Sequence, residues 1–242
     1  MKTNRKTATI VGVLYIIGTV AGILSLVFTA PIRNAPDPLL HIYDNESQVI
    51  IGALFMLLMG FALAMVPVLM FPISRKHNET LALGYVVFRG ALETVTYMAT
   101  AISWLLLLTL SQLYVRAGAP DDSNFQALGT ELLEAKLIGS ITTIIFILGA
   151  LMFYFLLYQS KLVPRWISAW GLIAAVPYLA AGILVMFGLV DSMSTIDTVA
   201  RLPMALQEMV LALWLIVRGF NPSAFAIESV KASKVEFQIS AA

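Results

Sequence analysis

The 242-residue chain has no cysteine, two histidines and only 12% charged residues. Without cysteine there is no disulfide, thiolate metal site, iron–sulfur cluster or cysteine nucleophile. The two histidines, His41 and His77, fall in connections on opposite sides of the membrane in the topology derived below. A bis-histidine haem, an intramembrane histidine zinc site and a Ser–His catalytic pair are therefore not expected. Fifteen Lys+Arg against fourteen Asp+Glu leave a net charge of +1, which provides no basic field for nucleic acid. A glycine-rich phosphate loop and a dinucleotide fingerprint are also missing, so no cofactor is expected. Soluble domains carry roughly 25% charged residues. Half of that cannot cover a water-facing surface, and a soluble globule is excluded.

What the chain has in abundance is apolar length: 60% of its residues are hydrophobic and its mean hydropathy is +0.88. A helix crossing the roughly 30 Å hydrocarbon core needs about 20 mainly apolar residues. Six stretches meet this: Ala8 to Thr29, Gln48 to Phe71, Leu81 to Tyr114, Leu132 to Tyr158, Trp166 to Val190 and Val199 to Gly219. They are too long for barrel strands and lack alternation, so helices are the way to satisfy their backbone in lipid. The expected fold is an all-α bundle of six transmembrane helices over residues 1–220, followed by a short tail, 221–242. The first stretch is longer than a 7–15-residue signal-peptide core and is read as a retained span.

The cations set the expected orientation. Lys2, Arg5 and Lys6 precede span 1, Arg75 and Lys76 follow span 2, Lys161 and Arg165 follow span 4, and Arg218, Lys231 and Lys234 follow span 6. The other connections hold Arg33, Arg116 and Arg201 among Asp37, Asp44, Glu46, Asp121, Asp122, Asp191 and Asp197. The positive-inside rule places both termini in the cytoplasm of a multi-pass cell-membrane protein. The outer connections around Pro31–Ser47 and Arg116–Thr130 are the longest, with room for a short interfacial helix.

A charged side chain at the bilayer centre costs about 2.5–3.5 kcal/mol on insertion scales, so each such residue is a candidate. Span 3 contains Arg89 and Glu93, four residues apart and so on one helical face. Tyr85, Thr96, Tyr97, Thr100 and Trp104 extend that face. Span 6 supplies Gln207 and Glu208 at a matching depth, and the five donors of one guanidinium can hold both Glu93 and Glu208. Lys136, Ser140 and Thr143 form a second polar stripe on span 4. Gly18-x-x-x-Gly22, Gly52, Gly60, Gly171 and Gly182 read as close-packing positions within the bundle. Pro203 falls in the first turn of span 6 as delimited above, where proline is tolerated.

Tyr15 with Gly18 and Gly22, Val163-Pro164-Arg165-Trp166-Ile167-Ser168 leading into Trp170-Gly171, Leu206-Gln207-Glu208-Met209 and the closing Gly219-Phe220-Asn221-Pro222-Ser223-Ala224 together resemble a family of six-helix bacterial membrane proteins, domain of unknown function 4386. The arginine followed by a glutamate in span 3 is similar to that family as well. The resemblance covers roughly Thr7 to Ala224 and implies a bacterial cytoplasmic-membrane protein. It implies no activity, substrate or catalytic residue.

Two functional classes follow from the residues. In one, Arg89, Glu93, Tyr97, Lys136, Gln207 and Glu208 line a polar site between spans 3 and 6. That site binds or moves a small amphipathic ligand, a lipid or a proton. In the other, the buried charges only fix helix register in a non-catalytic subunit whose partner is another membrane protein or a second copy. Two carboxylates with no metal, nucleophile or visible pocket are a poor basis for an enzyme, and none is expected. Membrane lipids are partners in either case.

Overall fold

A computed structural model describes residues 2–118 and 123–224. The expected Asp121, Asp122, Lys231 and Lys234 positions, and the tail beyond Ala224, lie outside the described residues. The elements are α1 (Lys2–Arg33), α2 (Pro38–Asp44), α3 (Glu46–Ser74), α4 (Glu79–Tyr85), a π-helical segment (Val86–Leu92), α5 (Glu93–Arg116), α6 (Ser123–Glu134), α7 (Lys136–Ser160), α8 (Arg165–Met186) and α9 (Thr195–Val217). No strand occurs among the described residues.

Six of these units are long and apolar enough to cross a membrane: α1, α3, the continuous α4–π–α5 rod, α7 with its preceding helix, α8 and α9. Their outward faces are strongly apolar, with Val95 60%, Val176 69% and Ile173 72% exposed. That pattern fits a lipid surrounding. Each span packs against its neighbours in sequence, and α9 returns to pack on α1. The six helices thus form a closed ring.

α1 begins, and α9 ends, at the same end of the ring, here called the terminal face. Arg5 Nη2 on α1 donates to the carbonyls of Ile216 and Val217 on α9, at 2.8 and 2.9 Å. This satisfies carbonyls that helix geometry leaves without partners. Gly219 ends α9 in the left-handed region, φ +74°, and a Cβ there would stand 2.7 Å from Arg5 Nη1. Gly219→Ala is expected to lose about 1–2 kcal/mol of stability, measured by unfolding in mixed micelles. Packing on the bundle runs on through Phe220 and Ala224, which are buried.

The opposite face is partly capped by α2 and α6, the short helices for which the long connections have room, which cover the α1, α3 and α5 side. Asp37 caps α2 by accepting from the Leu40 N–H, and it also accepts from the Tyr114 hydroxyl at 2.8 Å. Trp104 donates from Nε1 to the Leu133 carbonyl at 3.1 Å, which ties α5 to the end of α6. Partial burial of Asp37 pushes its carboxyl up, but the bonds from Leu40, Tyr114 and Gln126 outweigh this and hold it below the ordinary aspartate range. A depressed carboxyl contributes stability above its unfolded-state pKa and loses it as pH falls through the folded-state value. The α2 cap should therefore loosen on acidification below the ordinary aspartate range, while Asp37→Asn removes that dependence. Amide exchange across residues 38–44 reads both.

Apolar burial is split in two. A large core on the terminal-face side contains Tyr15, Val66, Met70, Tyr85, Phe153, Tyr154, Leu211 and Leu215. A smaller one under α2 and α6 is built on Ile32, Leu39, Ile42, Trp104 and Leu107. The small residues of α1 face α3, with Gly18 against Leu63 and Gly22 against Met59. The close approach that this motif permits is used within the bundle.

α9 differs from the sequence expectation at its start. Ser194 accepts from the Asp197 N–H, and Asp197 in turn accepts from the Met193 N–H. This capping starts the helix at Thr195, four residues before the expected Val199. Pro203 is consequently interior, not in a first turn. Arg201, expected in an outer connection, is on the helix and bonded to Asp197 at 2.6 Å. Two polar residues just ahead of the apolar run hid this first turn.

Candidate functional site

The third span does not run as a uniform α-helix. Between Val86 and Leu92 its hydrogen bonds shift to the wider π pattern, with the Glu93 N–H reaching the Phe88 carbonyl. Single π turns inside α-helices concentrate at functional sites, and this one carries Arg89. Its backbone is approached closely by α7 at Gly149, where a Cβ would stand 3.0 Å from the Arg89 nitrogen and 3.2 Å from its Cβ. Glycine at 149 therefore lets two spans meet at the turn that presents the arginine.

The Arg89 guanidinium is the hub. Nη1 donates to Glu93 Oε1 and Oε2 at 2.8 and 3.0 Å, and Nη2 donates to Glu208 Oε1 at 2.8 Å. Its plane lies over the Phe146 ring, 4.4 Å from the centroid. The Tyr97 hydroxyl donates to Glu93 Oε1. Arg89 and Glu93 side chains are 3% and 0% exposed, and Glu208 is 15% exposed. Glu93 is thus held from two sides, whereas Glu208 makes one bond, through Oε1, and keeps part of its surface free. Spans 3 and 6 lie across the ring from each other and are not packed neighbours. The Arg89–Glu208 pair crosses the middle of the bundle.

Beside this pair lies a cavity of about 130 Å³. All six spans contribute to its wall: Gly18 and Thr19 from α1, Met59 and Leu63 from α3, Arg89 and Tyr97 from the third span, Thr142 and Phe146 from α7, Tyr178 from α8 and Glu208 from α9. On the terminal-face side it meets a dense aromatic layer. Tyr85 stacks on Phe153 with ring centroids 4.2 Å apart, and the Tyr15 and Tyr85 hydroxyls are 3.0 Å apart. On the other side polar groups continue. Arg201 donates to Thr143 Oγ1 at 2.9 Å and lies 4.8 Å from the Tyr178 ring centroid. Asp197, Arg201 and Glu208 are spaced i, i+4 and i+11 along one face of α9, so charge of alternating sign runs from the helix start to the cavity.

Of the residues singled out from sequence, Arg89, Glu93, Tyr97 and Glu208 come together. Gln207 does not join them; its side chain is fully buried toward α8 and donates to the Ile167 carbonyl at 3.1 Å. Lys136 stands at the start of α7, thirteen residues before Gly149, which touches Arg89. That places it about 20 Å from the hub along the helix axis, near Gly188 at the far end of the bundle. Tyr178, Phe146, Thr142 and Met59 were not foreseen as wall residues. Only the Asp197–Arg201 spacing carried a readable signal, and the delimited span cut it off. No group of three or more metal-ligating side chains occurs among the described residues.

Residues 10–219 match a family described as a domain of unknown function, DUF4386, and the chain belongs to that family. No curated protein and no solved structure matches the chain.

Proposed function

We propose that this chain is a cell-membrane protein, with both termini in the cytoplasm, that binds a small amphipathic molecule in its central cavity. The observation that carries the reading is the cavity wall. Every span contributes to it, and it joins a carboxylate with unused surface, Glu208, to apolar groups such as Met59, Leu63 and Phe146. Binding sites typically combine apolar walls with a few convergent polar groups. A volume of about 130 Å³ is close to the roughly 150 Å³ of a cavity that accepts benzene, and below the roughly 300–1,000 Å³ of drug-sized pockets. A whole lipid is therefore too large, and a compact molecule fits. The aromatic layer of Tyr15, Tyr85 and Phe153 lies on the terminal-face side, and we take access to be from the opposite side, beside the part that α2 and α6 cover.

Native mass spectrometry and thermal melts of detergent-purified protein test this. A small molecule that stays with the wild type and is lost from both Glu208→Gln and the cavity-filling Thr142→Phe supports the reading. Wild-type protein that is empty and gains no stability from any small solute overturns it. The non-catalytic subunit is the second reading, favoured by the complete pairing of Arg89 and Glu93. It is tested by whether the wild type retains a second membrane protein or a second copy at unit stoichiometry.

A further inference from the structure

We infer that the ligand is a small organic monocation, an alkylammonium ion, which exchanges with a proton at Glu208; this rests on the reading of the cavity as a binding site. Arg89, Glu93 and Glu208 sum to −1 when ionised, and Arg201 with Asp197 sums to zero. An interior carrying one unbalanced charge in a low-dielectric surrounding is costly and demands a counterion.

Geometry gives the sign of what can approach. The cation of the cluster is the recessed member, at 3% exposure and already shared among Glu93, Glu208 and the Phe146 ring. The anion is the reachable member, at 15%, with no hydrogen bond to Oε2 among the described residues. An incoming anion would have to displace Glu208 from Arg89. A cation needs only to approach the oxygen that is already free. Thr19, Thr142 and Tyr178 line the same cavity, and Met59 and Leu63 supply an apolar wall for a short alkyl group.

Other groups facing Glu208 do not neutralise it. Arg89, Glu93 and Tyr97 flank it from the third span, Tyr15 from α1, Tyr154 from α7 and Tyr178 from α8, while Arg201, seven residues earlier on its own helix, is paired with Asp197. α3 adds only the apolar Met59 and Leu63 to the wall. The single missing positive charge is supplied by a proton on Glu208 in the empty site and by the ammonium in the loaded one. Each cation bound therefore releases one proton from Glu208 to the solution.

The test is a melting series on purified protein with methylammonium through hexylammonium chlorides. Sodium and potassium chloride serve at equal ionic strength, with sodium carboxylates and alcohols of the same chain lengths. Short alkylammonium ions should stabilise the wild type, and Glu208→Gln should weaken their binding roughly thirtyfold or more. Apparent affinity should fall about tenfold per pH unit once the proton occupies the site. Carboxylates or alcohols that protect the wild type but not Thr142→Phe would overturn the cation and leave the cavity reading standing. Alkali ions protecting as well as the ammonium series would overturn the organic cation. Affinity independent of pH would overturn the exchange with a proton. Protection by no solute at all would overturn both readings.

Discussion

Arg89→Ala is expected to remove about 3–5 kcal/mol of stability, the cost of leaving buried charge without its partner. Glu93 is fully buried and Glu208 is partly buried, and each loses the guanidinium 2.8 Å away. The loss belongs to stranded charge more than to missing contacts, so it should be reversible by chemistry. Arg89→Met combined with Glu93→Gln and Glu208→Gln should recover most of it, because a buried ionic set can often be replaced by uncharged groups of similar size at little cost. Unfolding in mixed micelles across the set, read as a mutant cycle, separates the two contributions. Equal destabilisation of Arg89→Ala and the triple variant would mean that the cluster acts only as shape.

Phe146→Ala should cost a comparable amount, about 3–5 kcal/mol as for other buried aromatics. Phe146 is 5% exposed, lies under the Arg89 guanidinium at 4.4 Å and packs against Tyr178 with centroids 5.0 Å apart. Its removal also enlarges the cavity, so a ligand longer by a few methylenes should gain affinity while the shortest loses it. Phe146→Leu retains most of the volume but removes the ring face, and it isolates a cation–π contribution of about 2 kcal/mol at a desolvated site. Thermal melts of both variants with short and long alkyl solutes separate packing from cavity size.

Much of the fold was legible because lipid imposes a simple rule. Long apolar runs must be helices, and each run between Ala8 and Gly219 corresponds to one. The Arg89–Glu93–Glu208 set was legible for the complementary reason that charge at membrane depth needs a partner, and four-residue spacing put two members on one face. What stayed hidden depended on rotation and on long-range packing. Nothing in Val86–Leu92 announces a π turn, which lies where α7 approaches closely at Gly149. Gln207 and Glu208 are adjacent in sequence, but about 100° of helical rotation sends one to the cavity and the other to the Ile167 carbonyl. Lys136 was grouped with the site by its polar stripe, whereas the break at Ala135, in the left-handed region at φ +46°, starts α7 far from Arg89. Phe146, Thr142 and Tyr178 look like ordinary span residues until the ring closes and turns them toward one point.

The absence of cysteine makes one accessibility measurement unusually clean. A single thiol at Thr142→Cys would stand on the cavity wall, and one at Leu157→Cys would stand in the terminal-face core, where Leu157 is 1% exposed. Thr142→Cys is expected to react readily when reagent is added from the α2–α6 side. Aminoethyl methanethiosulfonate, a cation, should react about tenfold or more faster than its sulfonate counterpart, as field-driven access allows, while Leu157→Cys stays inert. A Thr142→Cys thiol as unreactive as Leu157→Cys, or one that prefers the anionic reagent, would contradict a reachable, cation-selecting cavity at the centre of this bundle.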